Sequence, residues 1–466
     1  MIANSAAASA ASSAVVLGFD RGLMGLSLAV HIILASLGMA LPLIMVLAEI
    51  ISIRKKDKDY EVLAKRISKI FLLFLGLGTA SGILISVIML VLWPNFMTLV
   101  SQVAILPFNF ETVSFLLESL FVGIYFFSWG KMKGKYSHVL LGIPIVIGGM
   151  FSAVFITVAN AWMNTPVGFS IKTYLTNGTL TNVNPMAVFS SPSAATEISH
   201  VVSTTYFMGV FIILAYFAIM LLRKSGEKEK KYYKKGIWLL IILATVFVLW
   251  SLESGHDSGT KLMIQQPEKY AALEADINQT AYAPEIIGGI PADNGTKVSG
   301  SLADIPDLQS LLATGKESGT VPGLNEFNSS TWPPLYVHLE FDTMVIGGFA
   351  VAFMLALVIF LRLIKRDPVS DKTWWSRTIL VLLAICGLVA ILLVEAGWDM
   401  AETARQPWII YDVMTVSQAA NYSPSVLPLA IAITAFYIIV LPLSVVILRF
   451  MFRKNPLSKE LRGTGK

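Results

Sequence analysis

Two histidines, a methionine and three glutamates fall inside or beside otherwise apolar stretches of this chain: His31, His200, Met344, Glu111, Glu118 and Glu395. A carboxylate or neutral imidazole in hydrocarbon is costly unless a hydrogen bond, a charge or a metal meets it, so function explains such residues better than packing does. Glu395 opens the stretch EAGWDMAETARQPW, which also carries Arg405, Trp408 and further carboxylates. Glu111 and Glu118 are seven apart and share a helix face. Imidazole and thioether are soft axial ligands for haem iron, and an iron held by a single side chain keeps a face open for dioxygen. Carboxylates in a bilayer without matching cations suit proton delivery. A transporter would also set ionisable residues at half depth, but with an internal repeat or Gly/Pro-broken spans in matching halves, and no such repeat is evident. Of the other histidines, His138 reads as interfacial, and His256 and His338, which flank the longest loop, read as wet.

Composition dictates what must carry these residues. The chain is 55% hydrophobic and 14% charged, with mean hydropathy +0.69, the profile of an integral membrane protein. Apolar runs cover Leu23 to Ile53, then 70–93, 103–129, 137–163, 198–222, 235–253, 335–361, 376–398 and 428–452. Each can cross a core of about 30 Å at about 1.5 Å per residue, which predicts nine spans. Lysine and arginine cluster in 54–69, 130–136, 223–235, 362–377 and the tail after 452, while the alternate connections are nearly bare. The positive-inside rule then puts the N-terminus outside and the C-terminus in the cytoplasm. These clusters report topology, not nucleic acid. His31, His200, Met344 and Glu395 fall in the outer half, and Glu118 lies roughly 20 Å inward from the outer start of its span. The single cysteine, Cys386, sits in an apolar run and reads as a small hydrophobe, with no intrachain disulfide.

The expected organisation is a loose outer tail over 1–18, six spans over 19–254, an outer loop over 255–334, three spans over 335–454 and a cytoplasmic tail over 455–466. No basic segment precedes the tail, so a cleaved signal peptide is not expected. The loop shows one amphipathic helix, from about Pro267 to Asp276, and is either functional or a disordered insertion.

The motifs FDRGLMGLSLAVHIILASLG, FLLESLFVGIYFFSWGK, VANAWMNTP, EISHVVSTTYFMG, ESGHDSG and EAGWDMAETARQPW resemble subunit I of a cytochrome bd-type quinol oxidase, from about Phe19 to Trp408 and weakly through the last span. The resemblance implies an all-α membrane protein, nine transmembrane helices in a haem-binding bundle with a long outer quinol loop. It implies haem b558 held by His200 and Met344. His31 and Glu395 would each hold one of two high-spin haems, b595 and d (or a third b-type haem). Glu118 and Glu111 would serve proton delivery or the haem environment. Lys269 and Glu274 match the quinol loop, Arg405 and Trp408 the RQPW turn, where Arg405 offsets propionate charge, and Asn160, Trp162 and Asn164 a segment near the haems. The implied partners are membrane subunit II in a heterodimer, small single-span subunits as an option, quinol and dioxygen. The implied location is the cytoplasmic membrane.

Two departures stand out. The family commonly has arginine two residues before the methionine, where this chain has Asp342; and the outer glutamate of the third span usually stands eight residues before the deeper one, against seven here. The function implied is oxidation of quinol at the outer face and reduction of dioxygen to water. The rival is a haem-bearing electron-transfer or sensory protein with another donor and no oxygen reduction.

Overall fold

The computed structural model describes residues 2–134, 136–223, 226–291, 297–423 and 426–463. Among them, nine helices are long and apolar enough to cross a membrane. In order they are Ile2–Lys55, Lys58–Leu92, Ile105–Phe127, Ser137–Asn164, Ala194–Leu222, Glu227–Gln265, Val337–Leu363, Trp374–Thr403 and Val426–Lys454, called here the first to ninth spans. The apolar runs located all nine, but several helices outrun them. The stretch expected as a loose tail over 1–18 is helical from Ile2.

The sixth helix continues past the apolar run to Gln265, so the first part of the expected 255–334 loop is helix. Nothing in ESGHDSGTKLMIQ forbids helix, and the stop comes at Pro267, which opens the next short helix, Pro267–Leu273. The eighth helix likewise runs to Thr403, leaving Glu395 two turns inside it rather than at its end.

The fifth span is the hub, packing on the first, fourth, sixth and eighth. Small residues allow this close approach. A Cβ at Gly209 would lie 2.4 Å from Ser36 O of the first span, and one at Gly387 would lie 2.9 Å from Phe211 O. The outward faces carry exposed apolar side chains, among them Leu116, Leu120, Phe353, Leu388 and Ile438, as lipid contact requires.

At the basic end, buried Glu49 joins three spans. Tyr125 Oη donates to it at 2.6 Å, and His138 Nδ1 meets it at 2.7 Å. His138, expected at the interface, is therefore buried and partnered.

The long loop folds back over the opposite end. Two-residue or three-residue strands pair 280–281 with 320–321, 285–287 with 303–305 and 290–291 with 298–299. Helices Pro267–Leu273 and Leu308–Thr314 complete it. Ala271, Ala272 and Leu273 bury against Leu324, Val337 and Ala404, a small core that rules out a disordered insertion.

Candidate haem and quinol site

Each of the two candidate imidazole donors is held by the helix facing it. His31 Nδ1 bonds Ser81 Oγ at 2.8 Å, and a Cβ at neighbouring Gly82 would lie 3.3 Å from the ring. His200 repeats the arrangement, with Nδ1 3.2 Å from Ser254 Oγ and a Cβ at Gly255 3.3 Å from the ring. In both rings Nε2 makes no hydrogen bond among the described residues. Tying one ring nitrogen to a second group orients the other, as metal-ligating histidines require. Met344 Sδ would lie 3.0 Å from a Cβ at Gly397, so any side chain there would crowd its thioether. Glu395 Oε1 is buried and has no hydrogen-bond partner among the described residues.

Among the described residues, no three or more His, Cys, Asp or Glu are grouped to hold a bare metal ion. Donors standing singly, beside glycine cradles and with an orphaned carboxylate oxygen, fit a group that brings its own equatorial ligands, as haem does.

Glu111 and Glu118 both face the fourth span. Glu111 accepts from Ser152 Oγ at 2.8 Å, and Glu118 is buried with its Oε1 3.4 Å from a Cβ placed at Gly149. The spacing of seven therefore keeps both on one interface.

Arg405 is buried in a polar network at the outer end. It donates through Nη1 to Asn164 Oδ1 at 3.2 Å and through Nη2 to Glu402. Asn160 donates to Glu402 at 2.5 Å, and Asn164 donates to Glu197 at 3.0 Å. Nε of Arg405 remains buried without a hydrogen-bond partner among the described residues, a free donor for a carboxylate such as a propionate. Trp408 begins a short strand, Trp408–Ile410, that pairs with Met414–Thr415; Trp162 Nε1 donates to Val167 O at 2.9 Å.

The structure separates Lys269 from Glu274. Lys269 is buried and donates to Ala401 O at 2.8 Å; burial, then the Arg405 charge, pushes it down to about 8 against the opposing pull of Glu197 and Glu402. Glu274 faces other carboxyls: burial, then Glu285, Asp276 and Asp342, raises it well above the ordinary value. Burial raises Asp276 to about 8, and burial with the Asp342 charge raises Glu285 to about 7.

Sequence reasoning missed Glu197, Glu402, Glu285 and His338. The last, expected to be wet, is 1% exposed. A usable signal was present for it: His338 and Asp342 are four apart and meet on one helix face, Nε2 to Oδ2 3.5 Å.

The family model for cytochrome bd terminal oxidase subunit I matches residues 19–456. The chain belongs to that family. It is 32% identical over 443 residues to a Bacillus subtilis (strain 168) chain whose name assigns it to subunit I of a cytochrome bd menaquinol oxidase, covering 95% of this chain and 97% of that one. It is 26% identical to the cytochrome bd ubiquinol oxidase subunit 1 of the same organism, covering 91% and 90%. The solved bd oxidase of Geobacillus thermodenitrificans matches with TM-score 0.86 and 35% identity, over 95% of this chain and 99% of that one. As a cytochrome bd oxidase subunit I, the protein is part of a haem-bearing, multi-pass membrane oxidoreductase with a second subunit.

Proposed function

We propose that this chain is the catalytic subunit of a quinol-driven terminal oxidase of the cytoplasmic membrane, oxidising quinol at the outer face and reducing dioxygen to water through three haems. His200 and Met344 would hold haem b558 beside the loop. His31 and Glu395 would each hold one of the other two, haem b595 and haem d or a third b-type haem. The observation that carries this reading is the state of the two imidazoles: Nδ1 tied to serine, Nε2 making no hydrogen bond among the described residues and the ring against a glycine, in a chain of this family. When bound, haem supplies electron carriage and the iron at which dioxygen is reduced.

The chain's own residues supply docking and proton movement. Glu285, near 7, is about half ionised at neutral pH. It can take a proton from a quinol hydroxyl and release it outward. Glu274, raised well above the ordinary carboxyl value by burial and by Glu285, Asp276 and Asp342, keeps its proton more readily than a free carboxyl, and in that form can donate a hydrogen bond to the headgroup. Lys269 positions the loop helix through Ala401 O and does not share the surroundings of Glu274. Protons from the basic, cytoplasmic face would meet Glu118 before Glu111, since the third span runs inward from its start. Taking protons from one side and releasing them on the other separates charge without a pump.

The test is oxygen consumption by the purified complex with quinol, together with a pyridine haemochrome and a reduced-minus-oxidised spectrum. The expected result is quinol-dependent uptake, three haems per complex and a carbon-monoxide-sensitive high-spin signal. Full haem loading without that signal overturns the oxidase reading in favour of electron transfer alone. Reporter fusions after 130–136 and at the C-terminus check the orientation.

A further inference from the structure

The helical turn before Met344 holds the outer loop at two points. His338 Nδ1 donates to Leu273 O at 2.6 Å, immediately ahead of Glu274. One turn further along, Asp342 Oδ2 accepts the backbone N–H of Gly288, three residues past Glu285. Both side chains are buried and lie on one helix face. The loop is shaped to offer that amide. Gly288 and Gly289 adopt φ of +73° and +86°, and a Cβ at Gly289 would lie 2.9 Å from both Ser299 O and Ser301 N. The turn therefore depends on glycine and directs a buried N–H at the helix.

We infer that His338 and Asp342 are positioning residues, a clamp through which the helix bearing Met344 sets the placement of the loop's carboxyls, Glu274 and Glu285. This rests on reading the loop as the quinol site. Where the family commonly places a positive charge, Asp342 uses its carboxylate on a loop amide. Its role is then geometric: losing the acceptor loosens the hairpin, while losing only the charge does not. His338, held as an Nδ1 donor, fixes the other end, and its Nε2 stays without a hydrogen-bond partner among the described residues, beside Asp342.

The test compares Asp342→Ala with Asp342→Asn in the whole complex, reading KM and kcat for menaquinol and hydrogen–deuterium exchange of peptides covering 283–291. Alanine should raise KM about ten-fold, the cost of leaving the buried Gly288 N–H without its acceptor, leave kcat at saturating quinol within about two-fold, and speed exchange at the hairpin. Asparagine, which still accepts from Gly288, should keep hairpin exchange and KM near the wild type, while loss of the Asp342 charge lets Glu285 ionise at lower pH. His338→Gln, which can still donate to Leu273 O, should be milder than His338→Ala. Asparagine behaving as badly as alanine would overturn the clamp in favour of a role for the charge. Unchanged KM and exchange in Asp342→Ala would overturn it outright. Faster exchange in Asp342→Ala, in a complex whose wild type does not oxidise quinol, would uphold the clamp and reject the quinol-site reading.

Discussion

Gly397 sets how much room the Met344 thioether has. A methyl group there would come within 3.0 Å of sulfur, and methionine is flexible enough to give way by a few tenths of an ångström. Gly397→Ala should therefore fold and load haem but weaken the low-spin signal. Met344→Leu should abolish it, converting one haem to high spin; an unchanged optical and EPR spectrum in the leucine variant would remove Met344 from the ligand set. His31 and His200 were legible in the sequence because each stands alone in apolar surroundings, where a polar residue needs a reason. His138 and His338 were not, because burial came from partners distant in sequence: Glu49 lies 89 residues from His138, and Leu273 lies 65 from His338. No local pattern near a helix start reveals such a contact.

Apolar runs find spans but not their ends, since helix continues into polar sequence until something stops it. The sixth helix illustrates this, running on to Gln265 because the first proline stands at 267. The loop that follows was harder still, because its strands are two or three residues long and their alternation carries no signal. Its acid cluster makes its stability depend on pH. Asp276 titrates near 8 in the fold and near 3.8 when released, so the folded loop binds the extra proton between those values. Stability is then fully present below pH 3.8 on this account, and falls as pH rises through 8. Asp276→Asn keeps an acceptor for Gln309 and should flatten that fall. Hydrogen exchange of the 303–314 region, followed from pH 5 to 9, checks it, and an equally steep wild-type-like slope in the variant would remove Asp276 as its cause.

Across the whole molecule, packing around the fifth span holds the donor-bearing helices at fixed separations. Gly209→Leu would drive a side chain into Ser36 O and Ala40, with overpacking costing about 1–3 kcal/mol, seen as a lower melting temperature of the complex. Glu118→Gln addresses proton supply. It should slow oxygen reduction with quinol and with an artificial donor alike, leaving the haem spectra unchanged. Loss confined to the quinol assay would instead place Glu118 outside the proton path.

The Glu49 junction also bears on how the chain is made. As the first span enters the membrane, its carboxylate lacks both Tyr125, which arrives with the third span, and His138, which completes its pairing only with the fourth, and an under-paired carboxylate in a membrane span is expensive. The first four spans should thus commit to the bilayer together. Nascent chains stopped before residue 137 should remain extractable or exposed to quality-control proteases, whereas chains extended beyond 164 should resist both. In Glu49→Leu that distinction between lengths should disappear, so a residue remote from the haem and quinol chemistry would govern the order in which the scaffold is assembled.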